Sequence, residues 1–128
     1  MESLVHTVIE TFAFRASAKQ IGMTSDEIES ITLFISQNPA SGDIIKGTGG
    51  ARKVRFPLGG KGKSKGCRVV TFFSGDKIPV FLLEVFSKTD RINLSKQERN
   101  ELAKVLSGLA DDYKESIKLK TQMIGKAS

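Results

Sequence analysis

Residues 51–87 read ARKVRFPLGGKGKSKGCRVVTFFSGDKIPVFLLEVFS. Three runs in this stretch have strand character: RKVRF (52–56), CRVVTFF (67–73) and PVFLLEVF (79–86). They concentrate β-branched and aromatic residues and are separated by Gly, Ser and Asp clusters. A parallel pair needs a crossover of about a dozen residues or more, and neither connection is a crossover helix. The stretch therefore predicts an antiparallel meander of three strands.

The flanking sequence supplies the other elements. LVHTVIETFAF (4–14) reads as a strand, and RASAKQIG (15–22) as one short helical turn stopped by Gly22. In TSDEIESITLFISQNP (24–39), Thr24 and Glu27 have capping-box spacing, and Ile28, Ile31, Phe34 and Ile35 recur at helical period. ASGDIIKGTGG (40–50) reads as a connection. LSKQERNELAKVLSGLADDYKESIKLK (94–120) is a second amphipathic helix, with Ser95 and Glu98 at capping-box spacing and fraying expected after about Lys120. The expected fold is a single α+β domain over residues 1–128. It has a small twisted, mainly antiparallel sheet and two to three helices, the two long ones against one face.

The composition, 39% hydrophobic and 27% charged, is that of a folded domain and not of a disordered chain. Charge is unevenly spread. Residues 1–43 carry a net −4, residues 44–75 a net +8 with no acid, and residues 76–128 a net +2. The middle quarter thus supplies more than the whole net charge of +6. Such a concentration attracts polyanions, because each phosphate neutralised by Lys or Arg releases a condensed counterion. MESLVHTVIE carries two acids and no basic run, unlike a secretory leader, and no apolar run approaches the roughly 20 residues of a membrane span. One cysteine, Cys67, allows no internal disulfide and suits a reducing compartment. The expected location is cytoplasmic, with no membrane partner.

Two familiar motifs fail. A Walker A loop ending in Gly62-Lys63-Ser64 would need its first glycine where Pro57 stands, and no helix follows. Glycines 47, 49 and 50 miss the dinucleotide spacing. His6 is the only histidine and is distant in sequence from Cys67, too few ligands for a metal site. No metal or other cofactor is expected. The basic constellation remains. Lys53 and Arg55 are two apart in a strand and share one face, with Val54 and Phe56 on the other. An antiparallel return brings Arg68 near them, and Lys88 follows the third strand. These four cations are expected to converge without an acid among them, while Lys61, Lys63 and Lys65 lie on the first loop.

The pattern GxGGxRKxRFPLxGKGKSxGxRVVxFF (47–73), followed by PVFLLxVFSKxDRxNLSxxExxEL (79–102), resembles the RelE superfamily of type II toxin–antitoxin toxins, in its HigB-like branch. The resemblance implies a RelE-like fold and a ribosome-dependent endoribonuclease that cleaves mRNA and inhibits translation. It implies as partners the ribosome, mRNA and a cognate antitoxin, commonly a helix-turn-helix DNA-binding protein. It assigns a catalytic role to Lys53 (the general base), Arg55, Arg68 and Lys88, and RNA or ribosome binding to Arg52, Lys61, Lys63, Lys65 and, by stacking, Phe86. Some members use a tyrosine at the site. Here the sole tyrosine, Tyr113, falls in the last helix and reads as core. Two alternatives stand beside this reading: a non-catalytic RNA- or DNA-binding module using the same patch, and a gyrase-targeting toxin of the ParE type.

Overall fold

The computed structural model describes residues 6–57, 66–75, 77–87 and 94–127, with side chains for all of these except 110 and 116–127. In chain order the elements are β1 (Val8–Glu10), α1 (Phe12–Gln20), α2 (Ser25–Gln37), β2 (Asp43–Ile44), β3 (Ala51–Pro57), β4 (Gly66–Phe72), β5 (Val80–Ser87) and α3 (Lys96–Ala127). The five strands form one sheet in the order β1-β5-β4-β3-β2. The meander of β3, β4 and β5 is antiparallel, as its short connections require. β1 joins it parallel to β5, with Val8 opposite Val80 and Glu10 opposite Leu82. The chain is an α+β domain.

Four local readings are corrected. The stretch 4–14 is a strand only over Val8–Glu10 among the described residues. Thr11 then takes extended geometry, its Oγ1 accepts the Phe14 N–H at 3.2 Å, and α1 begins. The cap overrides the β propensity of Phe12 and Phe14 that follow it. Consequently α1 is a nine-residue helix where a single turn was expected. The connection 40–50 contains the two-residue strand β2, paired to Arg52 and Lys53. Finally, α3 lies on the opposite sheet face from α1 and α2, and it continues to Ala127.

Both long helices begin in capping boxes. Thr24 and Glu27 exchange bonds of 2.8 and 3.1 Å at the start of α2, and Ser95 and Glu98 do the same before α3. The sheet separates two apolar layers. On one face Val54, Cys67, Val69, Leu82 and Val85 meet Phe14 and Ala18 of α1 and Ile31 and Ile35 of α2. On the other, Ala51, Val70, Phe72, Phe81, Leu83 and Phe86 meet Leu94 and Leu106, with Leu102, Leu109 and Tyr113 partly buried beside them. Tyr113 packs edge-on to Phe81, 6.2 Å between ring centres, as a core residue.

β5 is buried on both faces, so its backbone groups need partners inside the protein. β1 is too short to pair its whole length. The Leu82 carbonyl accepts from the Thr11 N–H at 3.2 Å and from Thr11 Oγ1 at 2.8 Å. Further along, the Val85 N–H donates to Ser17 Oγ at 3.0 Å, and that hydroxyl donates back to the Phe14 carbonyl within α1. Between these anchors the β4–β5 register shifts: Thr71 is opposite Leu82, but Val70 is opposite Glu84. Leu83 is the extra residue of a bulge, and Leu83 and Glu84 both face the α3 side beside Val70.

Backbones also approach closely at two glycines. A Cβ on Gly42, at φ +91°, would stand 2.6 Å from the Lys53 carbonyl oxygen, and one on Gly66 would stand 2.4 Å from that of Phe56. Neither position admits a side chain without moving β3.

Ser17→Ala leaves the Val85 N–H without its acceptor and is expected to cost about 1–3 kcal/mol. Phe14→Ala, at a fully buried site, is expected to cost about 3–5 kcal/mol. Urea unfolding of the two variants against the parent measures both.

Candidate functional site

β3 alternates as its sequence requires. Ala51 belongs to the layer under α3 and Val54 to the layer under α1 and α2, so Lys53 and Arg55 face the α3 side. Arg55 stands directly opposite Arg68 on β4, and Arg68 is directly opposite Phe86 on β5. One row along, Lys53 is opposite Val70 and Val70 opposite Glu84. Side chains directly opposed across strands have Cβ atoms about 4.5–5.5 Å apart, and diagonal neighbours lie within reach of long side chains. Lys53, Arg55 and Arg68 are therefore brought together on one sheet face.

Their environments differ. Arg55 is exposed, Lys53 half-buried, and Arg68 only 6% exposed. The Arg68 guanidinium bonds the carbonyl of Cys67 at 3.4 Å, a long contact. A guanidinium taken out of water is costly unless charge or hydrogen bonds compensate it, and like charges directly opposite each other add repulsion. An oxyanion placed over Arg55 and Arg68 would relieve both costs. Arginine suits that task because its planar fork matches phosphate oxygens in pairs.

The expectation that no acid joins this set is corrected. Glu84 lies on the same face, one residue beyond Val70 from Lys53, because the bulge turns it there. The described part of the surface thus carries three cations and one carboxylate, a net +2. Glu84 is the residue that reading the sequence missed. Its signal was present as the sole charge in VFLLEVFS, but strict alternation could not say which face it joined.

The remaining expected residues distribute as follows. Arg52 lies on the opposite face with Val54 and Phe56, where its Nη1 donates to the Gly42 carbonyl at 3.4 Å. It does not join the surface formed by Lys53, Arg55 and Arg68. Phe86 is 4% exposed and packs in the layer under α3, so its ring is core and is not displayed for stacking on a base. Lys88 and the loop lysines Lys61, Lys63 and Lys65 lie outside the described residues.

Cys67 is fully buried among the residues that meet α1 and α2. Burial, assisted by the Glu27 carboxylate, pushes its thiol from 9.0 up to about 11, against smaller opposing effects of Arg68 and a backbone hydrogen bond. It is a core filler and not a nucleophile at neutral pH. His6 donates its backbone N–H to the Ser36 carbonyl and packs edge-on to Phe73, on the face away from the cations. Among the described residues no group of three or more His, Cys, Asp or Glu is arranged to hold a metal ion, and no helix is long and apolar enough to cross a membrane. No known family model matches the chain.

At pH 8 native Cys67 is expected to react with an aromatic disulfide reagent at the rate of global unfolding, and at once in denaturant. The sign of its pH effect follows from the raised value. Its contribution to stability is complete below pH 9, where both folded and unfolded thiols hold their protons, and is lost as pH rises towards 11. A Cys67→Ala variant should lack that component in stability measured across this range.

Proposed function

We propose that this chain is a toxin of a type II toxin–antitoxin pair, of the RelE superfamily and its HigB-like branch, and that it cleaves mRNA on the ribosome. The observation that carries this reading is the juxtaposition of Lys53, Arg55 and Arg68 on one sheet face, with Arg68 nearly buried. The motif pattern over residues 47–102 supports it, because these three residues are among the four that the resemblance assigns to catalysis. The proposed partners are the ribosome, mRNA and a cognate antitoxin, and the proposed compartment is the cytoplasm.

The chemistry requires no metal. The RNA 2′-oxygen attacks the adjacent phosphorus, a 2′-O–P bond forms, and the P–O5′ bond breaks. The products are a 2′,3′-cyclic phosphate and a 5′-hydroxyl. The proton of the 2′-hydroxyl must leave, and the 5′-oxygen must gain one. Lys53, in its neutral form, takes the first proton in this scheme. Arg55 and Arg68 hold the non-bridging oxygens, where negative charge grows as phosphorus becomes five-coordinate. Lys88 donates to the leaving oxygen. Glu84 supplies a counter-charge on the same face and is a second group able to accept a proton there. The loop lysines add sequence-independent grip on phosphate.

Induced expression is expected to arrest growth, with mRNA ends appearing inside reading frames in a translating extract. Arg55→Ala and Lys53→Ala should each lower cleavage by about 10²-fold or more. Arg68→Lys, which keeps the charge and most of the volume at a buried position, should lower it while leaving the melting temperature near that of the parent. Intact mRNA in arrested cells would sink the nuclease reading in favour of a binding module, and full activity in all three variants would sink the site. Inhibition should also weaken steadily as salt rises, since the contacts are to phosphate.

A further inference from the structure

On the same side of the sheet, next to the cations, a groove of about 360 Å³ opens between β5 and the first turns of α3. Val70 and Leu83 form its sheet wall, and Leu94, Leu102 and Val105 its helix wall. Thr11 and Ala13, at the start of α1, close one end. This volume falls within the range of pockets that hold ligand-sized apolar groups. The helix wall is incompletely covered: Val105 is 58% exposed, although Leu106 beside it is buried. Phe12, between Thr11 and Ala13 in sequence, is 89% exposed. A large apolar side chain left exposed in the wall of an apolar groove marks an interaction site.

The described rim is acidic, opposite in sign to the chain's net charge of +6. Among the described residues Glu84, Glu98 and Glu101 line the groove, and no Lys or Arg does. Glu98 and Glu101 already serve α3 locally, with Oε1 of each accepting from the Ser95 N–H and from Gln97 Nε2. Three carboxylates beside an apolar floor repel an RNA strand and attract cations. Two copies of this chain, each at +6, repel one another at long range.

We propose that this groove docks a short segment of a partner protein, one whose apolar side chains are flanked by lysine or arginine. The apolar side chains enter between β5 and α3, and the flanking cations meet Glu84, Glu98 and Glu101. Docking of this kind takes affinity from the buried anchors and specificity from the charges around them. The groove shares Val70 and Glu84 with the row that contains Lys53. A segment bound there ends beside the cationic surface, whatever that surface does. The inference stands independently of the nuclease reading.

The test is selection of random short peptides displayed on phage against the full chain. Enriched peptides should combine large apolar residues with Lys or Arg. Both Val105→Asp and Glu101→Lys, at exposed positions, should weaken their binding by about tenfold or more without lowering the melting temperature. Glu101→Lys should also shift selection towards acidic flanks. Failure to enrich any peptide, enrichment of acidic ones by the parent, or undiminished binding by both variants overturns the proposal. So does self-association of the parent in sedimentation that Val105→Asp abolishes, since the occupant is then a second copy.

Discussion

The hydrogen bonds that α1 makes to the backbone of β5 are the constraint on which the rest depends. β5 is the most apolar strand, nearly all of it buried, and a buried peptide group without a partner costs about as much as a lost hydrogen bond. β1 covers only three residues of its flank. Thr11 and Ser17 complete the pairing at Leu82 and Val85. Because Thr11 also caps α1, the entry of the chain into that helix and the completion of the sheet are one event. The placement of Phe14 and Ala18 under the sheet follows from it.

The same anchoring frames the bulge at Leu83 and so sets the electrostatics of the opposite face. Without the extra residue, Glu84 would fall on the side away from Phe81 and Leu83. With it, the carboxylate comes to the row of Lys53, and a surface that would otherwise hold only cations acquires one negative charge. The face then grades from basic at β3 and β4 to acidic at the groove under α3. Charges so arranged orient whatever approaches: phosphate is drawn to one end and ammonium or guanidinium groups to the other.

Much of this was legible in the sequence. The period-two alternation of RKVRF shows Lys53 and Arg55 sharing a face, and short connections show that Arg68 returns beside them. The capping boxes at Thr24 and Ser95 locate two helix starts directly. The failures have a common cause in non-local contacts. The TFAF segment looks like strand until Thr11 is seen to bond Leu82, more than seventy residues away. Phe86 looks available for stacking until the layer under α3 closes over it. Arg52 looks like part of a basic run, yet alternation, applied to it as it was to Lys53, sends it to the other face. The bulge had no local signal, since any of the apolar residues of β5 could have been the extra one.

β3 has a consequence for association of the sheet. β2 pairs only with Arg52 and Lys53, so among the described residues the outer side of Val54–Pro57 faces no strand. An open flank of this kind is a template for further strands, including those of other molecules. Here it ends in Pro57, which has no N–H to offer, and it carries the exposed Arg55. Two such flanks cannot pair without bringing their Arg55 side chains towards each other. The side chains that give the surface its charge thereby also keep one sheet from growing onto another.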